Sequence, residues 1–179
     1  MEANKKAPAG QQGATLQDKY TKKTAFAKLR ELHLQDKRQK FPNVPEYARI
    51  TPNYTDKTAN GLTRMIIEFI NLKGGQAERI NCTGRIIDKR QTVSDVLGRV
   101  RTIGSMEYVK TAGTRGTADI SATIRGKSVK IEVKINRDRQ SPEQLKYQQH
   151  IEAAGGLYFI ARDFESFYTW YNLKFGCNG

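Results

Sequence analysis

Asp119, Glu132 and Lys134 are the side chains of this sequence whose types and spacing suit metal-assisted cleavage of a phosphodiester. Two neighbouring carboxylates offer hard oxygen ligands to a divalent ion such as Mg²⁺ or Mn²⁺, which keeps other positions open for water and a phosphate oxygen. A lysine beside them can orient or deprotonate that water, or stabilise the negative charge that grows on phosphorus. The chemistry exists only if the chain brings the three groups together.

Two short alternating segments do so. From Thr117 to Ile124 polar and apolar residues alternate, the period of a half-buried strand, so Asp119, Ser121 and Thr123 share one face. From Ser128 to Ile135 the apolar Val129, Ile131, Val133 and Ile135 point one way and Lys130, Glu132 and Lys134 the other. Arg125-Gly126-Lys127 between them reads as the turn of a β-hairpin. Burying both apolar sets together predicts that Ile124 pairs with Val129 across a two-residue Gly126-Lys127 loop. In that register Asp119 faces Lys134, Ser121 faces Glu132, and the two carboxylates are diagonal neighbours with Cβ atoms roughly 7 Å apart. Taken alone, the two strands read more readily as an ordinary cross-strand ion-pair ladder on a solvated face than as a site.

The next segment favours a site. Ser141-Pro142-Glu143-Gln144 carries a helix N-cap, a proline at the first helical position and a capping-box glutamine. A helix therefore starts at about Ser141, runs through Leu145, Tyr147, Ile151 and Ala154, and stops at Gly155-Gly156 before a buried strand, Leu157 to Ala161. This run resembles the VRR-NUC branch of the PD-(D/E)XK nuclease superfamily. The resemblance rests on Gly116-Thr117-Ala118-Asp119-Ile120, on Ile131-Glu132-Val133-Lys134, and on Ser141-Pro142-Glu143-Gln144 followed by Ala153-Ala154-Gly155-Gly156 and an aromatic strand, about a third of the chain.

The resemblance implies a restriction-endonuclease-like core, with Asp119 and Glu132 as metal ligands, Lys134 as the catalytic lysine and Gln144 as a catalytic glutamine at the helix start. A capping-box glutamine also has a purely structural use. Members of the family contribute one more acid from the first helix of the domain. Here that helix is marked by Leu62, Met65, Ile66, Phe69 and Ile70 and ends at Gly74-Gly75, and its one acid, Glu68, is the candidate extra ligand. Glu68 lies well off the apolar stripe, which suits solvent or a salt link better than a metal, and Asn60 or Thr63 stands where the acid is usually found. A site held by two carboxylates, backbone carbonyls and water is expected to bind its ion weakly.

The charge points to the partner. The chain has 179 residues, with 31 Lys and Arg against 18 Asp and Glu, a net charge of +13. That excess suits nucleic acid without choosing between an enzyme and a binder. Residues 85–115 concentrate it in Arg85, Lys89, Arg90, Arg99, Arg101, Lys110 and Arg115, broken by Gly84, Gly98 and Gly104, and read as a basic loop with one short helix inserted ahead of the Asp119 strand. With Arg139, these arginines and lysines are the candidate DNA-backbone contacts. With 37% hydrophobic residues and no long apolar run, the chain reads as a soluble protein without a membrane span. Cys82 and Cys177 have no metal-ligand spacing and read as reduced cytoplasmic thiols, and neither His33 nor His150 is assigned chemistry.

Residues 1–55 form a basic N-terminal extension, disordered at its start and helical from Gln17 to Lys40, with a thin stripe of Ala25, Leu29 and Leu32. That helix could lie along DNA or serve as a packing or dimerising arm. Residues 56–175 form the nuclease-like domain, an α/β unit whose mixed sheet is flanked by helices and closed by an aromatic helix after Asp163, with Phe164, Phe167, Tyr168 and Tyr171 at helical spacing for the core. The expectation is a Mg²⁺- or Mn²⁺-dependent DNA endonuclease. Its alternative is a non-catalytic nucleic-acid-binding protein on the same basic fold. The resemblance implies branched, flapped or junction DNA as substrate, a homodimer, and a cytoplasmic enzyme of a prokaryote or of a phage or mobile element in its host.

Overall fold

The computed structural model describes residues 16–81, 84–109 and 113–176. The chain is mixed α/β, in the order α1 (Leu16–Lys40), a 3₁₀ turn (Glu46–Ala48), α2 (Ala59–Leu72), β1 (Gln76–Arg79), β2 (Arg85–Asp88), β3 (Gln91–Ser94), β4 (Val100–Ile103), β5 (Met106–Val109), β6 (Ile120–Ile124), β7 (Lys127–Val133), α3 (Pro142–Ala153), β8 (Leu157–Ala161) and α4 (Phe164–Phe175). Four strands form a mixed sheet in the order β1-β6-β7-β8, antiparallel except for the parallel β7–β8 pair that α3 connects. One face of β6 and β7 presents Ile120, Ala122, Ile124, Val129, Ile131 and Val133, all buried. α2 packs there through Leu62, Met65, Ile66, Phe69 and Ile70, the stripe expected from their spacing. α4 closes the core: the Phe69 ring meets Phe164, Phe167, Tyr168 and Tyr171 edge-on, with centroids 5.0 to 5.9 Å apart. Each such ring contributes roughly 1.5–3 kcal/mol by leaving water.

Three expectations change. The first concerns α1, for which the sequence allows either lying along DNA or serving as a packing or dimerising arm, and which over its described length packs onto the domain. Ala25 and Leu29 are fully buried in the same core as α2 and α4, and Phe26 meets Phe164 edge-on at 5.6 Å. A stripe only one residue wide per turn suffices because aromatic neighbours on α4 reach up to it. The segment that was expected to be disordered, up to Gly13, lies outside the described residues.

The second is the hairpin register. The observed pairs are Ile120 with Ile131, Ala122 with Val129 and Ile124 with Lys127, a slip of two residues from the expected pairing. The loop is Arg125-Gly126, with φ of 49° and 76°, the doubly positive pattern of a type I′ turn. A slip of two keeps every side chain on its expected face, because the strand period is two. The hydrophobic pattern could not tell the registers apart.

The third is the basic segment. Residues 85–109 form no helix. β2 pairs with β5 and β3 with β4, which makes a two-segment antiparallel ribbon. At the junction Gly104 takes a φ of 103°, where a Cβ would come within 2.6 Å of the Lys89 carbonyl oxygen. All of β3, β4 and β5 is exposed, so among the described residues no second layer covers the ribbon. The alternating Thr, Val and Ile positions that make it a strand pair lack a buried face, so periodicity read against a core missed it.

Candidate active site

The polar face of the sheet carries the site. Carrying the β6–β7 register one residue beyond Ile120 and Ile131 sets Asp119 beside Glu132, directly across rather than diagonal. Asp119 is held by its own backbone, whose carbonyl accepts from Ile80 N at 2.8 Å, and by its side chain, whose Oδ2 accepts from Val133 N at 2.9 Å. Asp119 is therefore tied to the chain just after β1 by its backbone and to β7, the strand of Glu132, by its side chain.

Glu132 is 2% exposed. Its Oε1 accepts from Gln144 Nε2 at 2.5 Å and lies 3.2 Å from Lys134 Nζ, whereas its Oε2 is buried with no hydrogen-bond partner among the described residues. Burial first, and the Asp119 charge second, push its carboxyl up to about 7 against the opposing pull of Lys134. Lys134 is 6% exposed. Its backbone N–H donates to the Ala161 carbonyl at 2.9 Å, which extends the β7–β8 pairing through the site, and its Nζ lies 3.3 Å from Asp138 Oδ2. Burial lowers the Lys134 ammonium, but the hydrogen bonds and charges of Glu132 and Asp138 outweigh it and leave the group above its ordinary value. Of the roles open to this lysine, orientation and charge stabilisation fit a group held protonated.

Gln144 makes the structural cap and also bonds the neighbouring acid. Its Oε1 accepts from Ser141 N at 2.9 Å while the Ser141 hydroxyl accepts from Gln144 N at 3.2 Å, a complete capping box, and its Nε2 holds Glu132. The entry to β6 is fitted to this helix end. Gly116 has a φ of 77°, and a Cβ there would come within 2.4 Å of the Glu143 carbonyl carbon.

Lys134 and Gln144 line a cavity of about 780 Å³ together with Arg115, Gly116, Asp138 and Arg139, and Glu132 lies behind the two residues it bonds. The expected basic contacts therefore divide. Arg115 and Arg139 sit at the cavity, while Arg85, Lys89, Arg90, Arg99 and Arg101 lie along the ribbon. Lys89 is paired with Glu107, and Arg90 forks onto Asp88 at 2.8 and 2.9 Å. Lys110 lies outside the described residues.

Glu68 is not part of this site. Its Oε1 accepts from Tyr54 OH at 2.9 Å and lies 2.6 Å from His33 Nδ1, and it lines a separate cavity between α1 and α2 with Asn60 and Thr63. The angle that set it off the apolar stripe turns it toward α1. His33, assigned nothing from the sequence, is its partner.

Sequence reasoning missed Asp138 and Tyr158. Asp138 reaches Lys134 from an irregular loop, where spacing carries no signal. Tyr158, opposite Lys130 on β8, has a buried hydroxyl whose ionisation is pushed up by burial and then by the Glu132 charge. Its place in an aromatic run made it read as core. Among the described residues no group of three or more His, Cys, Asp and Glu side chains converges as a metal cage. The donor set nevertheless suits a hard cation: two carboxylates side by side, one with a buried oxygen that no described residue satisfies. Main-chain carbonyls and water would complete the shell. No described helix is long and apolar enough to cross a membrane. No protein-family model matches the chain, and no curated protein matches it.

Proposed function

We propose that this protein is a Mg²⁺- or Mn²⁺-dependent DNA endonuclease of the PD-(D/E)XK type. The observation that carries the reading is the convergence on Glu132: Asp119 across the strand pair, Gln144 at 2.5 Å and Lys134 at 3.2 Å, with one oxygen unsatisfied. Asp119 and Glu132 would hold the ion. When bound, it would supply Lewis acidity at the scissile phosphate and lower the pKa of a coordinated water. Gln144 keeps the Glu132 carboxylate oriented, and its own rotamer is locked by the cap it forms. Lys134, protonated and braced by Asp138, would stabilise the charge that develops on the phosphate oxygens. Arg115 and Arg139 at the cavity would bind flanking phosphates. Branched, flapped or junction DNA is the substrate class we favour, on the resemblance to VRR-NUC nucleases.

The test is a panel of supercoiled, linear, single-stranded and branched DNA incubated with Mn²⁺ or with a chelator. Metal-dependent strand scission that disappears in Asp119→Ala and Glu132→Ala, while gel-shift binding persists, is the expected result. Full activity in both variants rules the assignment out. The second reading, a non-catalytic nucleic-acid binder, is favoured by the lack of a third acidic ligand among the described residues. It requires a salt-sensitive gel shift with no scission on any substrate.

A further inference from the structure

The ribbon of residues 84–109 ends in a tip with an unusual composition for a solvated turn. Asp95 builds the tip: its Oδ1 accepts from Leu97 N at 2.9 Å and Arg99 N at 2.8 Å, and its backbone carbonyl accepts from Gly98 N. The turn holds Val96 103% exposed and Leu97 73% exposed, side by side at the outermost point. Val100, Ile103 and Met106 add further exposed apolar side chains along the strands. Among the charges, Lys89 and Arg90 are spent on Glu107 and Asp88, and Asp95 on the turn itself. Arg85, Arg99 and Arg101 make no ion pair among the described residues.

The foot of the ribbon is part of the active-site cavity, which Gly84 and Tyr108 line together with Lys134 and Gln144. From there to Leu97 the chain can reach at most roughly 40 Å at about 3.3 Å per residue. That is about one turn, ~34 Å, of duplex DNA. A two-stranded ribbon fits a DNA groove, apolar side chains can be driven between base steps, and a free two-stranded ribbon has little stability without something to lie on.

We propose that the ribbon is a duplex-DNA arm that lies in a groove, with Val96 and Leu97 as an apolar wedge at a base step and Arg85, Arg99 and Arg101 on the flanking phosphates, so that the bent duplex is presented to the cavity at its foot. This rests on the nuclease reading for its partner and assigns the tip a role that the cleavage chemistry does not need. Wedge insertion kinks a duplex, which makes deformable or interrupted duplexes the preferred partners.

The experiment uses the full chain and Val96→Ser/Leu97→Ser, with a 30-bp duplex and the matching single strand, in EDTA so that no cleavage intervenes. Fluorescence anisotropy reads affinity and end-to-end energy transfer reads bending; sedimentation without DNA reads self-association. The expected result is a bent duplex with wild type, and loss of the bend with roughly ten- to hundredfold weaker duplex binding in the variant. Single-strand binding stays unchanged. Arg99→Ala should lower the salt slope by about one while the bend remains.

Equal bending and affinity in the variant overturn the proposal, as does wild type that binds duplex without bending or fails to bind it. A wild-type dimer that the tip substitutions dissociate also overturns it, since the tip then serves a second copy of the chain. Bending without scission in Mn²⁺ sinks only the nuclease reading. Scission without bending sinks only the wedge.

Discussion

The Gln144 amide joins the first turn of α3 to the Glu132 carboxylate at 2.5 Å while its oxygen caps the same turn through Ser141 N. A helix end and a buried acid on β7 are thereby positioned by one side chain.

Gln144→Ala should lose both links, and Ser141→Ala only the cap. The cap alone is worth about 1 kcal/mol. A hydrogen bond to a buried carboxylate adds about 1.5–3 kcal/mol. Urea unfolding should therefore rank Gln144→Ala as the more destabilised. Cleavage should fall by roughly a hundredfold in Gln144→Ala and hold near wild type in Ser141→Ala. Similar activity losses in both variants would mean that Gln144 acts only through the cap.

Burial of Glu132 makes stability depend on pH. Its carboxyl is raised from 4.5 to about 7, so the folded state binds the proton more tightly than the unfolded chain. The favourable contribution is complete below about pH 4.5 and is lost as pH rises through 7. At pH 8 the ionised group costs on the order of 3 kcal/mol. Glu132→Gln should match wild type at pH 4 and exceed it progressively to pH 8 in denaturant titrations. A difference that does not change with pH would show that the burial is not felt.

Divalent ions should offset part of that cost. Binding needs the ionised carboxylate, so Mn²⁺ should raise the melting temperature of wild type more at pH 8 than at pH 6, with reversal by chelator. With millimolar affinity, 10 mM ion contributes about 1.4 kcal/mol. Asp119→Ala should show no such shift. An equal shift in that variant would place the ion elsewhere.

Gly116→Ala should be among the most damaging small substitutions. The φ of 77° is strained for alanine, and the new Cβ would meet the Glu143 backbone at 2.4 Å. Together these should cost about 2–4 kcal/mol in thermal or urea unfolding. A loss below 1 kcal/mol would indicate that the β6 entry and α3 can separate freely.

The residues alone determined the phase of the two site strands, because alternation assigns each side chain to a face irrespective of register. Asp119, Glu132 and Lys134 were therefore legible as a polar set, as were the start of α3 at Ser141 and the apolar stripe of α2. The register itself was not, since slips of two leave the pattern unchanged; whether Asp119 meets Glu132 or Lys134 depends on the turn and on the strands paired outside it. Tertiary structure also decided that Gln144 reaches Glu132, that Glu68 turns toward His33 and Tyr54 on the α1 side, and that α1 joins the core. Each of these depends on which elements approach one another. The ribbon was hidden for the opposite reason: its strands have no buried side, and hydrophobic periodicity reports a strand only where there is a core for it to face.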